Sequence, residues 1–287
     1  MSSDKVYQIV TDKILNKLAA GVLPWRKGWV GGAQRPFNGT TGREYNGGNY
    51  FLLSMLGYAT PAFLTFKQIQ AVGGKIVEGQ EKNYFPVFYW NWIEKKDTKG
   101  KVTGKFPMLR YFLVWNIEQV EGYTLPEKFQ PKKHDPVRSA EAIIAGYPNA
   151  PEISIELSDR ACYSPKHDRV TMPKPEQFER IAEYYSTMFH ELGHSTGHEK
   201  RLNRKDGMEN VMFGCHNYSL EELIAELTAA FLCAEAGIDN TLDNSAAYIA
   251  SWLKALQDDP KMFWTAAGKA QKAADLILNR ERKESED

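Results

Sequence analysis

The chain of 287 residues is 43% hydrophobic, 12% aromatic and 25% charged, which is typical of one large or two ordinary globular domains and excludes a disordered chain. Residues 1–133 contain 19 Lys and Arg against 10 Asp and Glu, a balance of +9, whereas residues 134–287 contain 17 against 26, a balance of −9. This asymmetry predicts two domains, the basic one being the candidate for binding polyanions, although chance composition and mutual attraction of the halves are alternatives.

The first predicted element is an amphipathic helix. Val6, Val10, Ile14 and Leu18 recur every fourth residue, and Gly21 ends the pattern. Lysine and aspartate occur throughout this segment, so it does not resemble a secretory signal, and no run of about 18 uncharged apolar residues indicates a membrane partner. Three scattered cysteines are typical of a reducing, cytoplasmic protein and not of a disulfide framework: Cys162, Cys215 and Cys233.

The next segments combine aromatic, basic and amide side chains with glycines. PWRKGW (24–29) surrounds two basic residues with two tryptophans, and REYNGGNYF (43–51) has glycines that let a ligand approach the backbone. Single-stranded DNA needs positive charge for its phosphates and aromatic rings for its bases, so we predict a DNA-binding groove carried mainly by loops, although many aromatics are expected to be core. The candidate DNA contacts are Trp25, Arg26, Lys27, Trp29, Asn38, Arg43, Tyr45, Asn49, Tyr50, Lys67 and Gln68.

Two segments rich in aromatic and β-branched residues, 84–94 and 106–122, predict a long β-hairpin with a basic tip. Three prolines within 124–139 interrupt the pattern and indicate a linker. Short strands are expected at 152–157 and 162–173, and helices dominate the remainder. We therefore expect an α+β protein of two domains, with a basic single-stranded-DNA-binding domain at 1–125, a Pro/Lys-rich linker at 126–138 and a mainly helical domain at 139–287.

A helix is predicted between Pro175 and His194, because its apolar residues fall on one stripe at spacings of three and four. His190 and His194 lie one turn apart on a second ridge. With Glu191 they form the HExxH pattern of zinc hydrolases, in which two imidazoles bind the metal and the glutamate takes a proton from a water molecule. The alternative is a solvated helix face that carries two histidines.

The third metal ligand is expected on a second amphipathic helix at 219–238. Ser219 and Glu222 match a capping box, which would give Glu222 a structural role. Glu226 lies a turn further in, where an unpaired carboxylate would be costly to bury. We therefore predict Glu226 as the third ligand and keep Glu222 in reserve, the alternative for Glu226 being an exposed helix carboxylate. Zn2+ is the expected cofactor, and the same donors would accept Mn2+ or Co2+.

Other side chains near these motifs are weaker candidates. Tyr218 is a candidate for hydrogen bonding to an oxyanion, unless it serves only in packing. Cys215 and His216 precede the second helix and either approach the metal or are structural. His198 is excluded because the first helix is expected to end before it, and a metzincin-type third histidine would fall on Lys200.

The chain resembles ArdC-type antirestriction proteins over roughly residues 5–280, because several separated motifs occur in the order of that family. HELGHSTGHEKRLNR and EELIAELTAAFLCAEAGI resemble its zincin-like metallopeptidase domain. LPWRKGW, PFNGTTGREYNGGNYFLL and FLTFKQIQAVGGKIVEGQ resemble its single-stranded-DNA-binding domain. The resemblance implies a protein of a plasmid, phage or integrative element that shields entering DNA from restriction. KKDTKGKVTGK is interpreted as a local insertion, to which the resemblance assigns no role.

Three functions are compatible with these motifs. The first is antirestriction by a DNA-bound metallopeptidase, whose tethering would raise the effective concentration of a protein substrate near the strand. That substrate would be a host protein, such as a restriction component or a DNA-bound protein. The second function is a DNA coat whose metal site is structural or vestigial. The third is a DNA-tethered peptidase that cleaves a regulator.

Overall fold

The computed structural model describes residues 3–24, 35–96, 102–126, 129, 135–204, 216–238 and 246–281. These residues form two compact units, and neither unit is contiguous in the sequence. The first unit contains the described parts of 1–35, 46–57 and 131–281, and the second contains those of 36–45 and 58–130. The sequence predicted two contiguous domains joined by a linker at 126–138. The difference arises because two N-terminal helices pack against the C-terminal helices.

Groups of helices and groups of strands alternate along the chain. The described helices are α1 (Ser3–Ala19), α2 (Gly47–Ser54), α3 (Phe66–Ala71), α4 (Pro136–Gly146), α5 (Ile181–Ser195), α6 (His216–Ala236), α7 (Ala246–Asp258) and α8 (Met262–Ile277). The described strands are β1 (Phe37–Asn38), β2 (Ala62–Thr65), β3 (Lys75–Ile76), β4 (Phe85–Lys96), β5 (Val102–Asn116), β6 (Val120–Glu121), β7 (Glu152–Glu156), β8 (Cys162–Ser164) and β9 (Arg169–Pro173). None of the described helices is long and apolar enough to cross a bilayer.

The second unit is built around a four-stranded sheet in the order β1-β2-β5-β4. β4 and β5 form the predicted hairpin, pairing antiparallel from Phe85 opposite Val114 outward to Lys96 opposite Val102. Residues 97–101, at the expected basic tip, lie outside the described chain. Because β2 pairs with the other side of β5, the base of the hairpin lies inside the sheet and its outer part extends beyond β2.

One face of this sheet has a small core of its own. Leu64 of β2, Trp115 of β5, Ile69 of α3 and Val120 of β6 pack together there. The helix α3 is held at this face because Thr65 caps its first turn in a capping box.

The first unit carries the helices α5, α6 and α8, which pack on one another, while α1 packs on α7. A three-stranded sheet in the order β7-β9-β8 lies beside α5, with β7 parallel and β8 antiparallel to β9. The predicted helix from Pro175 is divided: a 3-10 turn spans Pro175–Gln177, and α5 begins only at Ile181. The apolar stripe is confirmed from Tyr185 onward, since Tyr185, Met188 and Leu192 are buried, whereas Ile181 at the start of α5 is 46% exposed.

Gly193 lies where the backbones of α5 and α6 approach each other closely. A Cβ atom at this position would lie 3.2 Å from the Cα and carbonyl oxygen of Ala225 and 3.2 Å from the Cβ of Thr228. The first two of these atoms belong to the backbone of α6, so they cannot move without shifting the helix. The absence of a side chain at Gly193 therefore sets the distance between the two helices.

We predict that Gly193→Ala destabilises the protein by about 1–3 kcal/mol, because the added methyl group overpacks the α5–α6 contact. The measurement is the free energy of unfolding from chemical denaturation. Gly268→Ala is the matched control, because Gly268 is exposed in α8 and its Cβ would meet nothing within 4 Å. This second change should stabilise the protein by about 0.5–1 kcal/mol. A stabilising effect of both changes would contradict the close packing at Gly193.

Candidate metal centre

Two imidazoles of α5 face each other at the surface of that helix nearest α6. The Nε2 atoms of His190 and His194 are 3.0 Å apart, as expected for side chains at i and i+4. Only 13% and 15% of these side chains are exposed. The structure thus brings together the two histidines of the HExxH pattern in a largely buried site.

Glu222 of α6 completes a convergent group of three side chains. Its carboxylate oxygens lie 3.6 Å from the Nε2 atoms of both His190 and His194. Among the described residues, these three offer metal-binding atoms that all lie within 4.8 Å of one another. Glu226, the expected third ligand, is instead 3.7 Å from Nδ1 of His190, on the other side of the ring. The geometry therefore favours Glu222, the reserve candidate, over Glu226.

The capping box expected at Ser219 and Glu222 was wrong, because α6 begins earlier than the sequence pattern suggested. The helix starts at His216, so Ser219 lies inside it, where the Ser219 carbonyl accepts a hydrogen bond from Nε1 of Trp252. Glu222 is consequently not needed at the helix start and faces α5. Two carboxylates four residues apart, at 222 and 226, were the sequence signal that could have indicated a ligand followed by its supporting residue.

The outer nitrogen of each imidazole also meets a carboxylate. Nδ1 of His190 is 3.7 Å from Glu226, and Nδ1 of His194 is 3.6 Å from Glu221. Such pairs fix the orientation and tautomer of a histidine, so that its other nitrogen is available to a metal ion. Glu221 was not among the residues predicted from the sequence.

Arg204 holds the carboxylate of Glu221 in position through hydrogen bonds. Its guanidinium donates two hydrogen bonds to the Glu221 carboxylate, at 2.6 and 3.0 Å. It also donates to the carbonyl oxygen of Gly193 at 3.1 Å and to Oγ1 of Thr196 at 2.6 Å. A single buried guanidinium therefore links the end of α5 to the carboxylate that supports His194.

The electrostatic surroundings favour positive charge at the imidazoles. Burial lowers the pKa of His194, but its contacts with Glu221 and Glu222 outweigh burial and raise it well above the usual value. The pKa of His190 is raised in the same way, chiefly by Glu222. Burial raises the pKa of Glu222, yet the two imidazoles hold it far below its usual range. A divalent cation would satisfy the same carboxylate and nitrogen atoms, so the donor set fits a metal ion.

The remaining candidates around this centre are placed as follows. Glu191 is buried, and its charge contributes to the raised pKa of both histidines. The backbone of Tyr218 lies in the first turn of α6, but its side chain is outside the described part, as are Cys215 and the side chain of His216. His198 follows the end of α5 and lies 3.9 Å from Asp168, so it does not join the convergent group.

Comparison with known proteins gives matches over both halves of the chain. A family described as zincin-like metallopeptidase matches residues 138–269, and one described as the N-terminal domain of the anti-restriction factor ArdC matches residues 4–115. The metal-free crystal structure of the antirestriction protein ArdC from plasmid R388 is 35% identical, with a TM-score of 0.79, covering 96% of this chain and 99% of that one. The chain belongs to the ArdC family.

Other proteins also match most of this chain. A Mn(II)-bound crystal structure of the R388 ArdC protein matches 95% of this chain and 97% of that one, with 35% identity and a TM-score of 0.77. The protein y4eC of Sinorhizobium fredii is 31% identical over 95% of this chain and 91% of its own length. Two DNA primases TraC of Escherichia coli are 36% and 34% identical over 97% of this chain, which spans only 20% and 27% of their lengths.

The predicted DNA contacts have different surroundings. Trp25, Arg26, Lys27 and Trp29 lie outside the described residues. Arg43 and Lys67 are exposed. The side chains of Asn38 and Gln68 donate to each other, at 3.0 and 3.3 Å. Asn38 also accepts from the backbone of the following turn, and Gln68 belongs to the cap of α3. Both amides therefore have structural roles.

Tyr45, Asn49 and Tyr50 are buried. The predicted DNA contacts were expected on exposed loops, and these three side chains lack that exposure. Asn49 and Tyr50 belong to α2, which begins at Gly47 where the glycine-rich sequence suggested a loop. The Tyr50 ring packs against Phe231, with 4.7 Å between ring centroids. Tyr45 packs edge-on against Phe63. These side chains support the core of their respective units.

We predict that Arg204→Met lowers the affinity for Mn2+ by about 10–100-fold, the usual effect of losing a residue that orients a metal-binding histidine. Isothermal titration of the metal-free protein measures this effect. Arg180→Met is the matched control, because Arg180 stands at the start of α5 in an exposed pair with Glu183. If Arg204→Met leaves the affinity for Mn2+ unchanged, Arg204 serves only to stabilise the turn after α5. Unfolding curves of both variants check that the fold is kept.

Proposed function

We propose that this ArdC-family chain is an antirestriction protein of a mobile element that binds single-stranded DNA and carries a metallopeptidase-type centre. In this proposal His190, His194 and Glu222 hold one divalent cation. The observation that supports it is the convergence of these three side chains, which are 13–15% exposed and meet between two helices. Two imidazoles and one carboxylate are a donor set of zinc hydrolases.

Zn2+ is the proposed cation, and the Mn(II)-bound structure of the R388 ArdC protein supports divalent metal binding by the same family. Mn2+ or Co2+ would be accepted by the same donors. When bound, the cation would lower the pKa of a coordinated water molecule and polarise a carbonyl group. Glu226 and Glu221 would keep the two imidazoles oriented toward it through their Nδ1 atoms.

Glu191 is the proposed general base. It follows His190 directly on α5, and burial limits the access of bulk water to its carboxylate. Its role would be to accept a proton from the attacking water molecule and to return it to the leaving amine. Tyr218 remains a proposed oxyanion donor from the first turn of α6.

The assignment of the third ligand gives a direct prediction. Glu222→Ala should abolish stoichiometric metal binding, because it removes a donor atom, whereas Glu226→Ala should retain binding with about 10–100-fold lower affinity. Metal content after dialysis, together with a Mn2+ titration, separates the two outcomes. Full occupancy in Glu222→Ala with loss in Glu226→Ala would return the third position to Glu226.

Binding of single-stranded DNA is proposed for the N-terminal half of the chain. Its support is the positive balance of residues 1–133 and the match of residues 4–115 to the N-terminal domain of ArdC. The TraC relatives, which are named as DNA primases, are consistent with a role at DNA. A peptidase centre tethered to the strand would meet proteins bound to the same DNA at a high effective concentration.

Glu191→Gln tests whether hydrolysis is needed for protection. The variant should bind metal and DNA normally but should lose the protection of a transferred plasmid, because a general base contributes about 10²–10⁴ to a hydrolysis rate. The measurement is the transfer efficiency into restricting relative to non-restricting recipient cells. Glu183→Gln is the matched control, being the same change on α5 two turns before the centre, where Glu183 pairs with Arg180.

If Glu191→Gln protects as well as the unsubstituted chain, the protein acts by coating DNA, and the metal centre is structural or vestigial. If both variants fail to protect while the unsubstituted chain succeeds, the effect belongs to α5 and not to Glu191. A host protein that is shortened only in cells with active Glu191 would identify the substrate, whether a restriction component, another DNA-bound protein or a regulator.

A further inference from the structure

The exposed aromatic side chains of the described residues all belong to the second unit. They are Phe66, Tyr84, Tyr111 and Phe112, whereas the other large exposed hydrophobic residues are aliphatic. Exposed rings gathered on one unit mark a candidate surface for a partner that can stack on them. The hairpin β4–β5 carries two of these rings on adjacent residues.

Tyr111 and Phe112 lie on opposite faces of the hairpin, because successive side chains of a strand alternate between faces. On the face of Phe112, the neighbour two residues away is Arg110, which stands directly opposite Tyr89 of β4. The rings of Tyr89 and Phe112 are in contact, with centroids 5.7 Å apart and planes at 68°. Arg110 and Phe112 are both exposed.

A second guanidinium reaches the same place from the segment before α2. The backbone carbonyl of Arg43 accepts a hydrogen bond from the N–H of Asn38 in β1 at 2.8 Å, so Arg43 lies at the edge of the same sheet. Burial raises the pKa of Tyr89, and the charge of Arg43 partly offsets this. Arg43 is exposed, and its neighbour Tyr45 packs on Phe63 of the same sheet. Two exposed cationic groups therefore border a pair of aromatic rings.

We propose that Arg43, Tyr89, Arg110 and Phe112 form the surface on which a single strand of DNA is held, with a base stacked on Phe112 and phosphates bound by the two arginines. The inference rests on the proposed DNA binding and assigns it to a defined surface of the second unit. Rings that take up bases and guanidinium groups that take up phosphates are the two components that sequence-independent binding of a single strand requires. In a duplex the faces of the bases are already stacked on their neighbours and cannot cover the ring.

The test uses the full chain and a fluorescently labelled oligothymidylate, with affinity measured by fluorescence anisotropy. Phe112→Ala should weaken binding by at least about fivefold, the lower end of the effect of losing one stacked base. Phe112→Leu should weaken it similarly, because an aliphatic side chain has no ring for stacking, whereas Phe112→Trp should preserve it. Tyr111→Ala is the matched control on the opposite face, since 43% of Tyr111 and 47% of Phe112 are exposed.

The arginines are tested through the salt dependence of binding. Arg43→Gln and Arg110→Gln should each reduce the slope of log affinity against log salt by about 0.7, the value expected when one phosphate fewer is neutralised on a single strand. Lys75→Gln, an exposed lysine of β3 outside this surface, should leave the slope unchanged. Equal slopes in all three variants would overturn the binding of phosphates by the two arginines.

The outcomes separate this inference from the proposed function. If the unsubstituted chain binds the oligonucleotide and Phe112→Ala binds as well as Tyr111→Ala, the surface is wrong and DNA binding stands. If the unsubstituted chain does not bind at all, the proposed DNA binding itself fails. Unfolding curves that match the unsubstituted chain are required of each variant, so that a loss of affinity is not a loss of fold.

Discussion

The close approach of α5 and α6 at Gly193 is the constraint on which the metal centre depends. The imidazoles and the carboxylates belong to different helices, and their atoms are 3.6–3.7 Å apart. Short side chains and backbone atoms must meet between the helices for this to be possible, and Gly193 against Ala225 provides that approach. The glycine of the HELGH sequence is thus needed for packing, while its histidines and glutamate are needed for chemistry.

Close packing also concentrates charge, which would be costly without compensation. Glu221, Glu222 and Glu226 lie within two turns of one helix, and all three are largely shielded from solvent. Burying a charge costs several kcal/mol unless a partner offsets it, and an apolar core of similar volume would stabilise the fold at least as well. Two imidazoles and Arg204 supply the compensation. A buried polar cluster of this kind is better explained by the need to bind a cation than by stability.

Sequence patterns predicted the parts of the structure that are local. The hairpin follows from the alternation of side chains, and the two central helices follow from three- and four-residue spacing. The proximity of His190 and His194 could be predicted from HExxH, because both histidines lie on one helix. The convergence of Glu222 with the two histidines was harder to predict, because it depends on where α6 begins, and helix ends are poorly specified by propensity. Tyr50 was misplaced for a related reason: glycines at 47 and 48 suggested a loop, but packing with other helices holds α2 in helical form.

The core around Tyr50 explains why the first compact unit contains residues from both halves of the chain. Tyr50 comes from the region that matches the N-terminal ArdC domain, and Phe231 from the region that matches the zincin-like metallopeptidase, yet their rings are in contact. The guanidinium of Arg35 lies 5.0 Å from both ring centroids and donates to Gln271 at 3.0 Å. Because Phe231 belongs to α6, N-terminal residues support the helix that carries Glu222. A fragment starting at residue 139 would expose this core, because Arg35 and Tyr50 would be missing from it.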